Sequence, residues 1–289
     1  MIYAGFYDFR LNFSLFWFYV PIAYRKVAVI LFKILYVRLL QKIFRFCFSI
    51  YGFLVFLILM FLLLPFFMIS FLLNPVRGGN MLYGICRFWA DALFLFVGIR
   101  HTNIYEEKHE MKREYVFVSN HISYLDIPVM MKATRHRHIR ILGKAEMTKI
   151  PLFGYIYKKG AVLVDRENAK KRSESIKQLI FFLNKKISVF ICPEGTFNMT
   201  HKPLKNFYDG AFRTAIETQK PILPILILDT YDRLHYNTIF SLNPGKCRVV
   251  YLPETSTEGL EVNDVRTLKD KIYKQMEDGL IRYDAGWIK

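Results

Sequence analysis

The feature that most constrains this chain is a run of 28 residues without a charge, 46–73, interrupted by Pro65. As one straight helix it would measure about 42 Å, longer than the roughly 30 Å hydrocarbon core of a bilayer. A helix that is apolar on every side needs protein or lipid around it on every side. The run begins too late for a cleavable leader, and six basic residues lie between Arg25 and Arg45, just ahead of it. The earlier stretch 11–40 is also apolar, but Arg25, Lys26, Lys33 and Arg38 punctuate it. That pattern suits an amphipathic helix lying in the membrane interface.

Charge places the rest of the chain. A single span would leave the basic segment on the cytoplasmic side and carry everything after it across. Yet the downstream chain is itself rich in Lys and Arg, and Cys86, Cys192 and Cys247 form no C-x-x-C pair or disulfide framework. A hairpin kinked at Pro65, entering and leaving on the cytoplasmic side, removes the conflict. The expectation is a monotopic or single-span membrane anchor in residues 1–75 and a domain in residues 76–289 on the cytoplasmic face. The net charge of +17 calls for an anionic partner, and a hydrophobic content of 53% selects a membrane surface over nucleic acid.

Pro75-Val76-Arg77-Gly78-Gly79-Asn80 reads as the linker between the two. Beyond it, apolar strand candidates recur at 115–119, 161–164, 189–192, 222–228 and 248–252, with helical patterns at 168–186, 211–219 and 265–281. This alternation predicts an α/β domain: a mixed, largely parallel sheet flanked by helices, behind an N-terminal hydrophobic helical anchor.

Two polar clusters stand at strand ends. After Tyr115-Val116-Phe117-Val118 comes Ser119-Asn120-His121-Ile122-Ser123-Tyr124-Leu125-Asp126, and after 187–191 comes Cys192-Pro193-Glu194-Gly195-Thr196. A strand end presents side chains to a cleft, where a histidine serves as a base and a nearby carboxylate fixes its tautomer. Taken singly, each cluster reads as well as a helix cap with a first-turn carboxylate, or as a surface turn.

Their conjunction resembles the glycerolipid acyltransferase family, of the lysophosphatidate acyltransferase type. Further segments fall in that family's order. They are Lys144-Ala145-Glu146-Met147 with Pro151-Leu152-Phe153-Gly154, then Gly160-Ala161-Val162-Leu163-Val164-Asp165-Arg166. Phe207-Tyr208-Asp209-Gly210-Ala211-Phe212 and Pro221-Ile222-Leu223-Pro224 follow, so the resemblance spans roughly residues 80–255. It implies transfer of a fatty acyl group from acyl-CoA or acyl carrier protein to the free hydroxyl of 1-acylglycerol 3-phosphate, giving phosphatidic acid. The partners it implies are a membrane lipid, the acyl donor as co-substrate and a membrane surface, with no metal or further cofactor.

Acyl transfer to an alcohol needs a base, donors for the oxyanion and a means of holding both substrates. The resemblance makes His121 the base and Asp126 its orienting carboxylate. It assigns Asn120, Lys144, Arg166, Glu194, Gly195 and Thr196 to substrate binding, with Arg166 and Lys144 meeting phosphate. The chain has no G-x-S-x-G elbow, in keeping with direct transfer between bound substrates.

Four positions depart from the family pattern, among them Tyr208, which stands where the family often has lysine. Cys192 stands where the family commonly has Phe, and Phe197 and Asn198 stand where it has Arg and Ser. That arginine is counted among the contacts to acceptor phosphate, so Lys202, Lys205 or Arg166 must supply the charge, or the acceptor differs. A lyso-amino-acid lipid is the alternative acceptor, and a non-catalytic lipid-binding relative the alternative function. The tract Arg135-His136-Arg137-His138-Ile139-Arg140 reads as a basic surface for anionic lipid or for the phosphates of the donor.

Overall fold

A computed structural model describes residues 22–151, 153–165 and 168–288. Contacts divide the chain into two compact units, Met1–Phe48 and Ser49–Lys289. The larger unit begins at Ser49, upstream of residue 76, and takes in nearly all of the apolar run.

The first described helix, α1 (Ile22–Leu72), passes through Pro65 without ending. Residues 22–40 continue into the apolar run and are no separate interfacial helix, while residues 11–21 lie outside the described residues. The expected kink at Pro65 is absent; the chain reverses at Leu73–Asn74 instead. Asn74 caps the next helix, α2 (Pro75–Phe96), by accepting from the N–H groups of Val76 and Arg77 at 3.1 and 2.9 Å. Pro75 fills the first helical position, where its missing N–H costs nothing. The expected linker 75–80 is thus the opening of a helix. Its Gly79 is needed because a Cβ there would run into the Arg140 guanidinium.

The two helices pack antiparallel. Tyr51 Oη donates to the Phe96 carbonyl at 3.1 Å, and the Phe56 and Trp89 rings meet edge to face at 5.6 Å. Leu59, Met60, Leu63 and Phe67 form the buried stripe of α1. Its opposite face, with Phe53, Leu54, Ile58, Phe61 and Leu62, is equally apolar and exposed. By length and composition, Lys26–Leu72 is long and apolar enough to cross a membrane.

The sheet follows: β1 (Ile99–Tyr105), β2 (Val116–Ser119), α3 (Asp126–Ala133), β3 (Ile139–Lys144), α4 (Phe153–Gly160) and β4 (Val162–Val164). Then come α5 (Ala169–Asn184), β5 (Ser188–Ile191), α6 (Gly210–Thr218), β6 (Ile222–Ile227), the short α7 (Thr230–Arg233), β7 (Gly245–Tyr251) and α8 (Val265–Arg282). The strand order is β1-β7-β6-β2-β5-β3-β4. Strands β6, β2, β5, β3 and β4 are parallel; β7 is antiparallel to β6, and β1 runs parallel to β7. The sheet is mixed and largely parallel, as the alternation predicted.

Residues alternate between its two faces. Val116 and Val118 of β2 join Val189 and Ile191 of β5 in a core closed by Leu179, Phe212, Leu268 and Met276 of α5, α6 and α8. Phe117 and Phe190 point the other way and stack at 5.9 Å, on the face that carries α2, α3 and α4.

Strands β1 and β3 were not among the expected ones. β1 is a half-exposed edge strand with polar alternation. β3 starts inside the basic tract, which is only partly a surface. Arg140 is 1% exposed, donates to the carbonyls of Ile139 and Val76 at 2.7 and 3.0 Å, and lies 4.8 Å from the centre of the Phe182 ring. Its charge fastens α2 to the sheet and is not offered to lipid.

Candidate active site

Parallel pairing of β2 with β5 sets their C-terminal ends side by side, so the two polar clusters meet in space. The loop 120–125 folds back over the start of α3, and Asp126, in the first turn of that helix, is fully buried. Its Oδ2 accepts from the backbone N–H groups of Ile122 and Ser123 at 2.7 and 2.9 Å, and lies 2.7 Å from His121 Nδ1. Its Oδ1 accepts from Thr230 Oγ1 at 2.6 Å. The other neighbours all donate to Asp126, so it accepts from His121 Nδ1; in the neutral imidazole this tautomer leaves the lone pair on Nε2. The His121 side chain remains 23% exposed while Asp126 is closed off, the arrangement of a base with an orienting carboxylate behind it.

The second cluster grips the backbone of the first. Gly195 N–H closes a turn onto the Cys192 carbonyl at 3.0 Å, with Pro193 at its first corner and Gly195 at φ +74°. Glu194 is carried inward to 2% exposure. Its Oε1 accepts from His121 N–H at 3.0 Å and its Oε2 from Lys205 N–H at 2.9 Å. Asn198 N–H in turn donates to the His121 carbonyl at 2.9 Å. Burial pushes the Glu194 carboxyl up to about 8, against the pull of the two N–H groups and of the Lys205 charge.

The residues expected to bind substrate fall into different places. Gly195, Thr196 and Lys144 line the same cavity as His121. Glu194 is a brace beneath it. Asn120 is 1% exposed, and its side chain is spent on β6, accepting from Ile227 N–H at 2.8 Å and donating to the Ile227 carbonyl at 2.9 Å. Arg166 lies outside the described residues. Phe197 meets the His121 ring edge-on at 4.5 Å and the Tyr124 ring at 4.8 Å. Lys205 Nζ donates to Thr196 Oγ1 at 2.5 Å, which brings its charge to the cavity wall.

Thr230 was not among the expected residues. The available signal was its place two positions after the apolar run 222–228, another strand end beside β2. Trp287 was also missed. Its indole N–H donates to the Lys202 carbonyl at 3.2 Å, holding the loop that carries Asn198 and Lys205. Its ring also packs 6.4 Å from Tyr231, next to Thr230.

The cavity at His121 has a volume of about 470 Å³ and runs between α2, α3 and α4. Leu82, Ile127, Met130, Met131, Phe153 and Ile156 make most of its wall apolar. A base at the mouth of an apolar cavity is suited to deprotonating a hydroxyl whose substrate carries a hydrocarbon chain. Among the described residues, no group of three His, Cys, Asp or Glu is placed to hold a metal ion.

The family model described as Acyltransferase matches residues 100–228. The 1-acyl-sn-glycerol-3-phosphate acyltransferase alpha of Mus musculus is 33% identical over 164 residues, covering 56% of this chain and 57% of that protein. The 1-acyl-sn-glycerol-3-phosphate acyltransferase of Haemophilus influenzae is 26% identical over 203 residues, covering 70% of this chain and 82% of that protein. The chain thus matches little more than half the length of the mouse relative. In fold, it resembles the crystal structure of the 1-acyl-sn-glycerophosphate acyltransferase PlsC from Thermotoga maritima. The TM-score is 0.68 at 19% identity, over 86% of this chain and all of the other.

Proposed function

We propose that the chain is a glycerolipid acyltransferase, a membrane-bound 1-acylglycerol-3-phosphate O-acyltransferase. It would move a fatty acyl group from acyl-CoA or acyl carrier protein to the free hydroxyl of the lysolipid, giving phosphatidic acid. The observation that carries this reading is the 2.7 Å contact of His121 Nδ1 with buried Asp126, made at the mouth of an apolar cavity.

His121 Nε2 takes the proton of the acceptor hydroxyl as its oxygen attacks the thioester carbonyl. Asp126 holds the ring and balances the imidazolium that forms. The tetrahedral intermediate collapses with loss of the thiolate, which recovers the proton from His121, leaving an ester and a free thiol. Lys144 and the Lys205–Thr196 pair supply donors at the cavity for phosphate or oxyanion.

Membrane attachment is supported by the exposed apolar face of α1. The six basic residues before the apolar run favour the cytoplasmic face for the site. A second reading keeps the chemistry and changes the acceptor to a lyso-amino-acid lipid. It is favoured by Phe197, whose ring stands against His121 where the family commonly offers a cation.

Purified protein assayed with several lysolipids against CoA and carrier-protein thioesters tests both. The first reading expects diacyl product from the phosphate-bearing acceptor and its loss in His121→Ala with the fold intact. Product from phosphate-free acceptors alone selects the second. Near-normal turnover by His121→Ala sinks the mechanism.

A further inference from the structure

A second cavity, of about 600 Å³, opens between α5 and α6 on the opposite face of the sheet from α2. It is not needed to explain the dyad, and its lining differs from that of the first. Its floor is buried and apolar, made by Val164, Leu179 and Ile191. Its rim is polar and exposed, with Arg172, Ser173, Tyr208 and Arg213. The rim carboxylates have cationic partners: Asp209 lies 2.7 Å from Lys269 Nζ, and Glu217 lies 3.7 Å from Arg213 Nε.

The two cavities share three residues, Leu142, Cys192 and Gly195. Gly195 has no side chain and follows directly on the brace that holds His121. A ligand long enough to reach from one cavity into the other would cross at these shared residues, beside the His121 loop. An acyl thioester has that form: a hydrocarbon tail at one end and, beyond the sulfur, a pantetheine arm of amides and a hydroxyl ending in phosphate.

The donors of the first cavity, Lys144 and the Lys205–Thr196 pair, are taken up by the acceptor phosphate or the oxyanion, and its apolar walls would leave the donor's amides without partners. The second cavity offers hydroxyls and guanidinium groups, and guanidinium pairs with phosphate oxygens. It also lies on the face of the sheet opposite the α1–α2 hairpin.

We propose that the cavity between α5 and α6 binds the phosphate-bearing pantetheine arm of the acyl donor, the acyl chain crossing beside Gly195 into the apolar cavity at His121. This rests on the acyltransferase reading and adds where the donor enters. Coenzyme A and acyl carrier protein share the arm, so the chemistry is common to both.

The test is steady-state kinetics with acyl-CoA, acyl-carrier-protein and acyl-N-acetylcysteamine thioesters, the last of which ends before the phosphate. Ser173→Trp puts an indole at the rim from an exposed helix position. It is expected to raise the KM of a phosphate-bearing donor about ten-fold, a loss of about 1.4 kcal/mol, with acceptor KM unchanged. Arg172→Glu is expected to raise KM for the phosphate-bearing donors and not for the N-acetylcysteamine thioester. A rise with either natural thioester carries the proposal and names the source. An active wild type whose donor KM is unmoved by Ser173→Trp overturns it, as does an equal effect of Arg172→Glu on all thioesters. A wild type inert with every donor and lysolipid instead overturns the acyltransferase reading and this one with it.

Discussion

The backbone N–H of His121 donates a 3.0 Å hydrogen bond to Oε1 of Glu194, a residue 73 positions further along the chain. The His121 carbonyl is held as well, by Asn198 N–H at 2.9 Å. The second motif therefore fixes the main chain of the histidine, while Asp126 fixes its ring. Glu194 acts here as a positioning residue: at 2% exposure, its carboxyl is enclosed by the backbone it holds.

That burial makes stability depend on pH. The Glu194 carboxyl is raised from 4.5 in the unfolded chain to about 8 in the folded one. A raised group contributes fully below its unfolded value, and the contribution is lost as pH climbs through its folded value. Stability should fall between pH 4.5 and about 8, with a slope of at most about 1.4 kcal/mol per pH unit from this group. Denaturant melts of wild type and Glu194→Gln across that range check it. The variant's amide stands in for the protonated carboxyl, so it should lie close to wild type at low pH, and its curve should be flatter.

Asp126→Asn tests the tautomer. An asparagine oxygen cannot replace both carboxylate oxygens, and an amide nitrogen turned towards His121 would accept no proton from Nδ1. Turnover should fall on the order of 10²- to 10⁴-fold, with the far-ultraviolet spectrum unchanged. A loss below about three-fold would remove Asp126 from the mechanism.

Thr230→Val removes the donor to Asp126 Oδ1 and leaves the side-chain volume nearly unchanged. One charge-assisted hydrogen bond is lost at a fully buried site, so kcat should drop roughly ten-fold with little change in acceptor KM. Thr230→Ser should restore most of it. A rise in KM with kcat preserved would mean that Thr230 meets substrate and does not position Asp126.

On α1, Phe61 and Leu62 are 61% and 65% exposed on the apolar face. Replacing both with Glu should leave the melting temperature within a few degrees, because neither side chain is in the core. Co-sedimentation with anionic vesicles should fall at least about ten-fold, since the loss of apolar area and the added negative charge both oppose insertion. Equal binding by variant and wild type would place the membrane contact elsewhere.

Much of the site was legible because its signals are local. A strand followed by a polar cluster needs no long-range information, and His121, Asp126 and the turn at Pro193–Thr196 are each encoded within a few residues. The hairpin turn was equally local, since Asn74 and Pro75 spell a cap and a first helical position, but the two glycines after them look like a linker. Arg140 misleads for the opposite reason: nothing near it in sequence supplies the carbonyls and rings that bury it.

The sequence by itself determined the apolar run, the α/β alternation and the two motifs at strand ends, because each depends on periodicity and turn chemistry within one segment. Only the tertiary structure decided that β2 lies beside β5, which turns two unremarkable turns into one site. It also decided that Glu194 braces the His121 backbone, that Thr230 and Trp287 complete the support, and that Phe197 covers the His121 ring. These contacts join residues tens of positions apart, and only strand order and packing bring them within hydrogen-bonding or ring-contact distance.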